Sequence, residues 1–167
     1  GGGHAITAYI AAPLFALFGR SGALLTAIPA ALSVGAIWLV WRIVRTHISK
    51  EAALPAAALY AFSPPVAYQS FLVNGGTETF LLALAGLWFF LNAYSRPLGK
   101  SWTELTAGIF AGLAYWGMDY ALLYAVVFGL LFATARRWKS VALLGCGFLV
   151  GCAPLLVFNV QNDFQHL

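Results

Sequence analysis

Long apolar runs constrain the fold of this chain more than any other feature. A helix needs ~20 apolar residues to cross about 30 Å of hydrocarbon, and six runs come close to that length. They are Ala23 to Trp41, Ala52 to Tyr68, Thr77 to Tyr94, Trp102 to Gly117, Tyr120 to Ala135 and Val141 to Val160. Because 62% of the residues are hydrophobic and only 8% charged, the chain cannot build a fully water-facing surface. The sequence predicts an all-α, polytopic bundle of about six transmembrane helices, forming one membrane domain over residues 1–167.

The first apolar run, Ala5 to Phe18, is shorter, at about 14 residues. Two structures fit this length. One is an interfacial helix on the outer face, with Leu14, Phe15 and Phe18 dipped into the lipid boundary. The other is a tilted or shortened membrane helix. The length favours the interfacial helix, which would lead into the first full span.

Basic residues occur in alternate loops of the predicted bundle. Eight of the nine Lys and Arg residues lie there: Arg42, Arg45, Lys50, Arg96, Lys100, Arg136, Arg137 and Lys139. Such loops are cytoplasmic in membrane proteins, so we expect the intervening loops and the C-terminal end to lie outside. This pattern accounts for the net charge of +4, and no nucleic-acid partner is expected.

The five acidic residues divide between the two predicted sides. Glu51 and Glu104 lie beside basic residues, and we interpret them as solvated groups on the cytoplasmic side. Glu78, Asp119 and Asp163 fall on the outer side, in segments without Lys or Arg. Polar residues such as Asn74 lie in the same outer segments, which indicates a site at the outer membrane interface.

Glu78 has two interpretations from its position alone. It could be an ordinary first-turn acid, stabilised by the helix macrodipole, with Thr77 as a possible N-cap. It could equally belong to a functional site. Asp119 could likewise be a loop acid that starts the next helix. We interpret Trp116 as an anchor at the membrane interface. The alternative is that its ring has a stacking role.

Small residues and prolines predict how the helices pack and end. Gly108 and Gly112 form one GxxxG motif, and Gly147 and Gly151 form another, which favours close helix contacts. The sequence Ser63-Pro64-Pro65 should stop or bend its helix.

Four stretches resemble a known family in their order and spacing. They are GGHAITAYIAAPLFALFGRSGALLTAIPAALSVGAIWLVWRIVRTHISKEAALPAAALYAFSPP at the start, NGGTETFLLALAGLWFF and GIFAGLAYWGMDYALLY in the middle, and GFLVGCAPLLVFN near the end. Together they look like the polytopic glycosyltransferases of the GT-C superfamily, in the protein-mannosyltransferase-like branch. The resemblance covers nearly the whole chain.

The resemblance implies transfer of a sugar from a polyprenyl-phosphate donor to a lipid, glycan or protein acceptor. The reaction is expected at the outer, periplasmic face of the plasma (inner) membrane, in a multi-pass enzyme. In the family, a carboxylate in the first outer loop acts as general base. No acid precedes Glu51, so the base is expected upstream of Gly1 and the chain is expected to be an N-terminally incomplete, inactive piece. No cofactor is expected with certainty, and a divalent metal stays an open alternative.

The resemblance also implies a set of substrate-binding residues. Glu78 would face the active-site cavity and accept a hydrogen bond from a sugar or acceptor hydroxyl, with Asn74, Asp119 and His4 completing the set. The chain departs from relatives in having His4 and Thr7 near the Ala-Tyr pair, and Asp119 in the outer hairpin. The alternatives are a transporter or flippase fragment and a noncatalytic membrane scaffold. The uncharged centres of the apolar runs disfavour a transporter.

Overall fold

The computed structural model describes residues 3–69, 76–95 and 102–161, and these residues are almost entirely helical. The elements are α1 (Gly3–Phe18), α2 (Gly22–His47), α3 (Lys50–Ala61), α4 (Pro64–Gln69), α5 (Gly76–Tyr94), α6 (Trp102–Gly117), a 3₁₀ turn (Asp119–Ala121), α7 (Leu122–Thr134) and α8 (Trp138–Gln161). Backbone groups in lipid must pair within their own segment, and helices provide that pairing. The predicted all-α membrane bundle is confirmed.

Three helices in the described ranges are long and apolar enough to cross a membrane, where the sequence predicted about six spans. They are Gly22–His47, Gly76–Tyr94 and Trp138–Val157. The run Ala52 to Tyr68 is divided into α3 and α4 at Ser63-Pro64, as the proline pair predicted. Proline has no N–H to donate and disfavours helical geometry in the residue before it, so it interrupts the helix. The other predicted runs fold into the shorter helices α6 and α7.

The two GxxxG motifs form a direct backbone contact between α6 and α8. A Cβ atom placed on Gly108 or Gly112 would overlap the carbonyl oxygens of Leu144 or Phe148 in α8. Conversely, a Cβ on Gly147 or Gly151 would overlap the carbonyl oxygens of Leu105 or Ile109 in α6. Each motif therefore accommodates the backbone of the other helix, which confirms the prediction that these glycines serve packing.

An aromatic cluster joins α5 to α7. The rings of Phe90 and Phe128 stack with centroids 4.2 Å apart, and Phe132 meets Phe90 edge-on at 5.0 Å. Ala107 and Leu144 bring α6 and α8 to the same cluster. Helices α5, α6, α7 and α8 therefore share one buried apolar core, which packs around the C-terminal half of α5.

Glu104 is not a solvated acid, and that interpretation of the sequence is wrong. Its side chain is only 6% exposed and forms an ion pair with Arg137, with Oε1 and Nη2 3.3 Å apart. Ser140 donates to the same oxygen at 3.2 Å, and Thr103 donates to Oε2 at 3.1 Å. Burial of a carboxylate requires such partners. Thr103 is the preceding residue, but Arg137 and Ser140 lie 33 and 36 positions away in the sequence.

Arg137 extends this cluster to the end of α5. Its Nη1 donates to the carbonyl oxygens of Ala93 and Tyr94, at 3.0 and 3.3 Å. These are the last carbonyl groups of α5, which lack partners within their own helix and attract positive charge. The ion pair therefore fastens the end of α5 to the start of α6 and to the connection that precedes α8.

Helix α1 lies against α2, α5 and α6. It buries Ile6, Thr7 and Ala11, whereas Tyr9 and Phe18 are more than two-thirds exposed. The helix ends at Gly19, whose φ of +78° is the left-handed conformation that glycine adopts readily. Its partial burial places it on the side of the bundle, and its interfacial orientation stays a prediction.

Candidate substrate site at the start of α5

Glu78 lies in the first turn of α5 and is almost fully buried, with 2% of its surface exposed. Its neighbours Thr77 and Thr79 are buried as well. The positive end of the helix dipole favours an acid in this turn. However, helix-dipole stabilisation alone does not require burial, so the local sequence does not explain this environment.

Thr7 provides the partner that brings Glu78 into the interior. Its Oγ1 donates a hydrogen bond of 2.6 Å to Oε1 of Glu78, across 71 positions of sequence. The second oxygen, Oε2, is also buried and has no hydrogen-bond partner among the residues described. A buried acceptor without a donor is costly, and this oxygen is one of three buried side-chain polar atoms without a partner among the described residues.

The C-terminal end of α6 closes the site from another side. A Cβ on Gly117 would overlap Oγ1 of Thr79 and would lie 3.4 Å from Cδ1 of Ile6 in α1. One residue earlier, the indole ring of Trp116 packs against Tyr9, with centroids 5.6 Å apart and planes tilted by 50°. The ends of α1, α5 and α6 therefore meet around Glu78, and a side chain at position 117 would require Thr79 to move.

A groove of about 730 Å³ runs beside α1. It is lined by Thr7, Ala8, Ala11, Ala12, Phe15, Ala16, Arg20 and Leu25. Thr7 lines this groove and also donates to Glu78, so a single side chain connects the groove to the buried carboxyl group. The other lining residues within the described ranges are mainly apolar, and Arg20 is the one charged residue among them.

The structure brings together only part of the predicted substrate-binding set. Glu78 is at the centre, but it is covered by α1 and does not line the groove. Asp119 is exposed at the start of the 3₁₀ turn, and its side chain forms no hydrogen bond or ion pair within the described ranges. His4 belongs to the first turns of α1, one turn before Thr7, and its side chain lies outside the described part. Asn74 lies outside the described residues altogether.

Thr7 is the site residue that the sequence did not identify as a partner of Glu78. Only one feature of the sequence distinguishes Thr7. Apart from Tyr9, it is the only residue with a hydroxyl group in the apolar run from Ala5 to Phe18. No group of three His, Cys, Asp or Glu side chains within the described ranges could hold a metal ion. The site as described therefore consists of hydroxyl groups, one carboxyl group and aromatic rings.

The fold and site define a helical membrane protein with a buried carboxyl group where three helix ends meet. A family model, described as dolichyl-phosphate-mannose-protein mannosyltransferase, matches residues 5–159, which include most of α1 and nearly all of α8. The chain therefore belongs to this family, which confirms the resemblance and implies glycosyltransferase activity. Comparisons with curated proteins and with solved structures gave no match.

Proposed function

We propose that this chain contributes to transfer of a sugar from a polyprenyl-phosphate donor to a hydroxyl group of a lipid, glycan or protein acceptor. The observation that carries the proposal is the buried carboxyl group of Glu78, with Oε1 held by Thr7 and Oε2 without a donor. Membership of a family described by a phosphate-linked sugar donor supports the same reaction.

In this proposal Glu78 binds and orients a hydroxyl group. Oε2 accepts a hydrogen bond from the sugar or the acceptor, while Thr7 fixes the rotamer of the carboxyl group. The acceptor oxygen attacks the anomeric carbon, and the bond from that carbon to the phosphate oxygen breaks. Polyprenyl phosphate leaves with the bonding electron pair, and the acceptor proton passes to a base. We assign the base to no described residue.

The groove beside α1 is the part of the site suited to the lipid donor. Its alanine-rich wall provides an apolar surface for an isoprenoid chain, and Arg20 provides a guanidinium group for a phosphate. Thr7 lines the groove and donates a hydrogen bond to Glu78, which lies behind it. A lipid in the groove would therefore lie beside the side chain that controls the carboxyl group.

Access to Glu78 requires a movement in this proposal, because the side chain is 2% exposed. Helix α1 would shift relative to α5 and α6 far enough to expose Oε2, while Thr7 keeps its hydrogen bond to Oε1. The hydroxyl group that enters would supply the donor that Oε2 lacks, which offsets part of the cost of the movement. We place the site on the outer face of the plasma membrane, because the loops rich in Lys and Arg belong to the opposite side.

Sugar transfer by the full-length protein tests the role of Glu78. In Glu78→Gln, the site keeps its shape but loses the negative charge and one acceptor oxygen. We expect turnover to fall ten-fold or more, which is about 1.4 kcal/mol in the barrier. Expression and membrane insertion should be unchanged.

Asp119→Asn is the matched control. It neutralises an exposed acid that follows the end of α6, and the side chain of this acid has no partner among the described residues. If Glu78 only stabilises the start of α5, Glu78→Gln should cost roughly 0.3 to 1 kcal/mol of local stability. The rate of sugar transfer should then stay near normal. Full activity of Glu78→Gln, equal to that of Asp119→Asn, would remove Glu78 from the substrate site.

A further inference from the structure

One face of α2 carries two arginines and two tryptophans over its last turns. Trp41, Arg42 and Arg45 lie three, four and seven residues after Trp38, and these spacings align the four side chains along one face of the helix. Both arginines are exposed, and Trp38 is 52% exposed. We call these four residues the Arg-Trp stripe. It lies at one end of a helix long enough to span the membrane.

The guanidinium groups of the stripe lie against aromatic rings. Arg42 is 5.6 Å from the ring centroid of Trp38 and 5.5 Å from that of Trp88 in α5. Arg45 is 4.7 Å from the centroid of Trp41. A ring face attracts the cation but does not use the N–H donors at the edge of the guanidinium plane. The rings therefore orient both groups and leave their donors available.

These donors have no anionic partner in the described part of the chain. Neither Arg42 nor Arg45 forms an ion pair or a hydrogen bond there, and the exposed Glu51 nearby is not paired with them. His47 adds a further polar atom at the same end, because its ring packs edge-on against Trp88 and its Nε2 is buried without a partner. Two oriented cations without an acid form a site that an external anion would complete.

We propose that the Arg-Trp stripe binds the phosphate of an anionic phospholipid in the leaflet that surrounds this end of α2. The bidentate donor geometry of arginine matches a phosphate, and partly exposed tryptophans prefer the depth of lipid headgroups. A phospholipid is favoured over free phosphate because exposed indole rings beside the cations can contact acyl chains, which a free ion does not have. This lipid site lies on α2 and α5 and does not depend on the proposed sugar transfer.

Native mass spectrometry of the full-length protein can test this site. Detergent-solubilised protein would be mixed with phosphatidylglycerol or with phosphatidylcholine of identical acyl chains. The unmodified protein should retain phosphatidylglycerol preferentially. In Arg42→Gln with Arg45→Gln, we expect binding of phosphatidylglycerol to weaken by about ten-fold or more, because two headgroup contacts are lost.

Two variants separate the site from general charge and from misfolding. Arg136→Gln with Lys139→Gln removes the same charge in a region without the stripe, and it should retain most of the binding. Arg42→Lys with Arg45→Lys keeps the charge but loses the planar donor edge, so it should bind with intermediate affinity in a folded protein.

Three results would overturn the proposal. Equal retention of the two lipids by the unmodified protein would show that there is no anionic site. Equal loss in the two glutamine variants would show that only net charge matters. Displacement of the lipid by inorganic phosphate at an equal concentration would identify a free-anion site instead.

Discussion

The hydroxyl group of Thr7 and the carboxyl group of Glu78 are 2.6 Å apart and hold α1 across the start of α5. This contact links the position of a peripheral helix to the one buried acid at the meeting point of α1, α5 and α6. A hydrogen bond to a carboxylate is stronger than one between neutral groups. The pair therefore couples the structure of the site to the placement of α1.

Thr7→Val should destabilise the protein while keeping the side-chain volume. The variant leaves both oxygens of Glu78 buried without a described donor, which costs about 1–3 kcal/mol. Thermal unfolding in detergent measures this cost. Thr26→Val is the control, because Thr26 is exposed and its hydroxyl donates to the carbonyl of Ala23 in its own helix. The Thr26 variant should change stability by no more than about 0.5 kcal/mol.

A double-variant cycle distinguishes a coupled pair from two separate residues. Combining Thr7→Val with Glu78→Leu, which removes both acceptor oxygens, should show a coupling energy of about 0.5–3 kcal/mol. Strictly additive unfolding energies would mean that the hydrogen bond does not contribute to stability. The Thr7→Ser variant keeps the donor and should retain most of the stability.

The α6–α8 contact predicts opposite effects for two glycine substitutions in the same bundle. Gly147→Ala would force a Cβ into the carbonyl oxygen of Leu105 and should cost about 1–3 kcal/mol through overpacking. Gly145→Ala, two residues away in the same helix, meets open space. It should leave stability unchanged or raise it by about 0.5–1 kcal/mol, because alanine favours helix. Equal unfolding temperatures for the two variants would contradict the close backbone contact.

Breaking the buried ion pair should be among the most destabilising single changes in the chain. Glu104→Gln leaves Arg137 largely buried without its anion, and we expect a loss of about 3–5 kcal/mol in unfolding free energy. Glu51→Gln removes an exposed acid and should change stability by no more than about 0.5 kcal/mol. Replacing both partners, as in Glu104→Gln with Arg137→Met, should recover part of the loss. A loss in the double variant as large as the sum of the two single losses would argue against pairing.

The sequence predicted those features that depend on neighbouring residues. Apolar runs predicted helices, because a backbone surrounded by lipid must satisfy its own hydrogen bonds. The GxxxG motifs predicted close packing, because small residues at this spacing share a helix face. The proline pair predicted the break between α3 and α4. Each of these signals acts within one or two turns of helix.

Features that depend on distant partners could not be predicted. Glu104 stands beside basic residues in sequence and looks solvated, but its partner Arg137 is 33 positions away. Thr7 and Glu78 are 71 positions apart, and the residues next to each one do not indicate that the two are in contact. The packing of helices brings these pairs together, and a single sequence does not reveal that packing. Asn74 and the side chain of His4 lie outside the described part, so their roles stay predictions.

Cysteine labelling in intact cells tests the predicted orientation of the bundle. Single cysteines at positions 74 and 162 should react with an impermeant reagent from outside, whereas those at 47, 98 and 138 should not. Cys146→Ser with Cys152→Ala supplies the background. The expectation follows from the alternate loops rich in Lys and Arg. Reaction of position 98 from outside would reverse the proposed side of the active site.

The groove beside α1 gives the most direct test of where a lipid donor binds. Ala12 is exposed and lines the groove, so Ala12→Phe should fill it without disturbing a buried contact. We expect KM for the polyprenyl-phosphate donor to rise by about ten-fold, roughly 1.4 kcal/mol of binding, with kcat close to normal. Leu17→Phe introduces the same ring on the same helix at a 76% exposed position outside the groove, and it should leave KM unchanged. Arg20→Gln should raise KM alone if its guanidinium group binds the donor phosphate. An unchanged KM in both Ala12→Phe and Arg20→Gln would exclude the groove as the donor site while leaving the role of Glu78 to its own test.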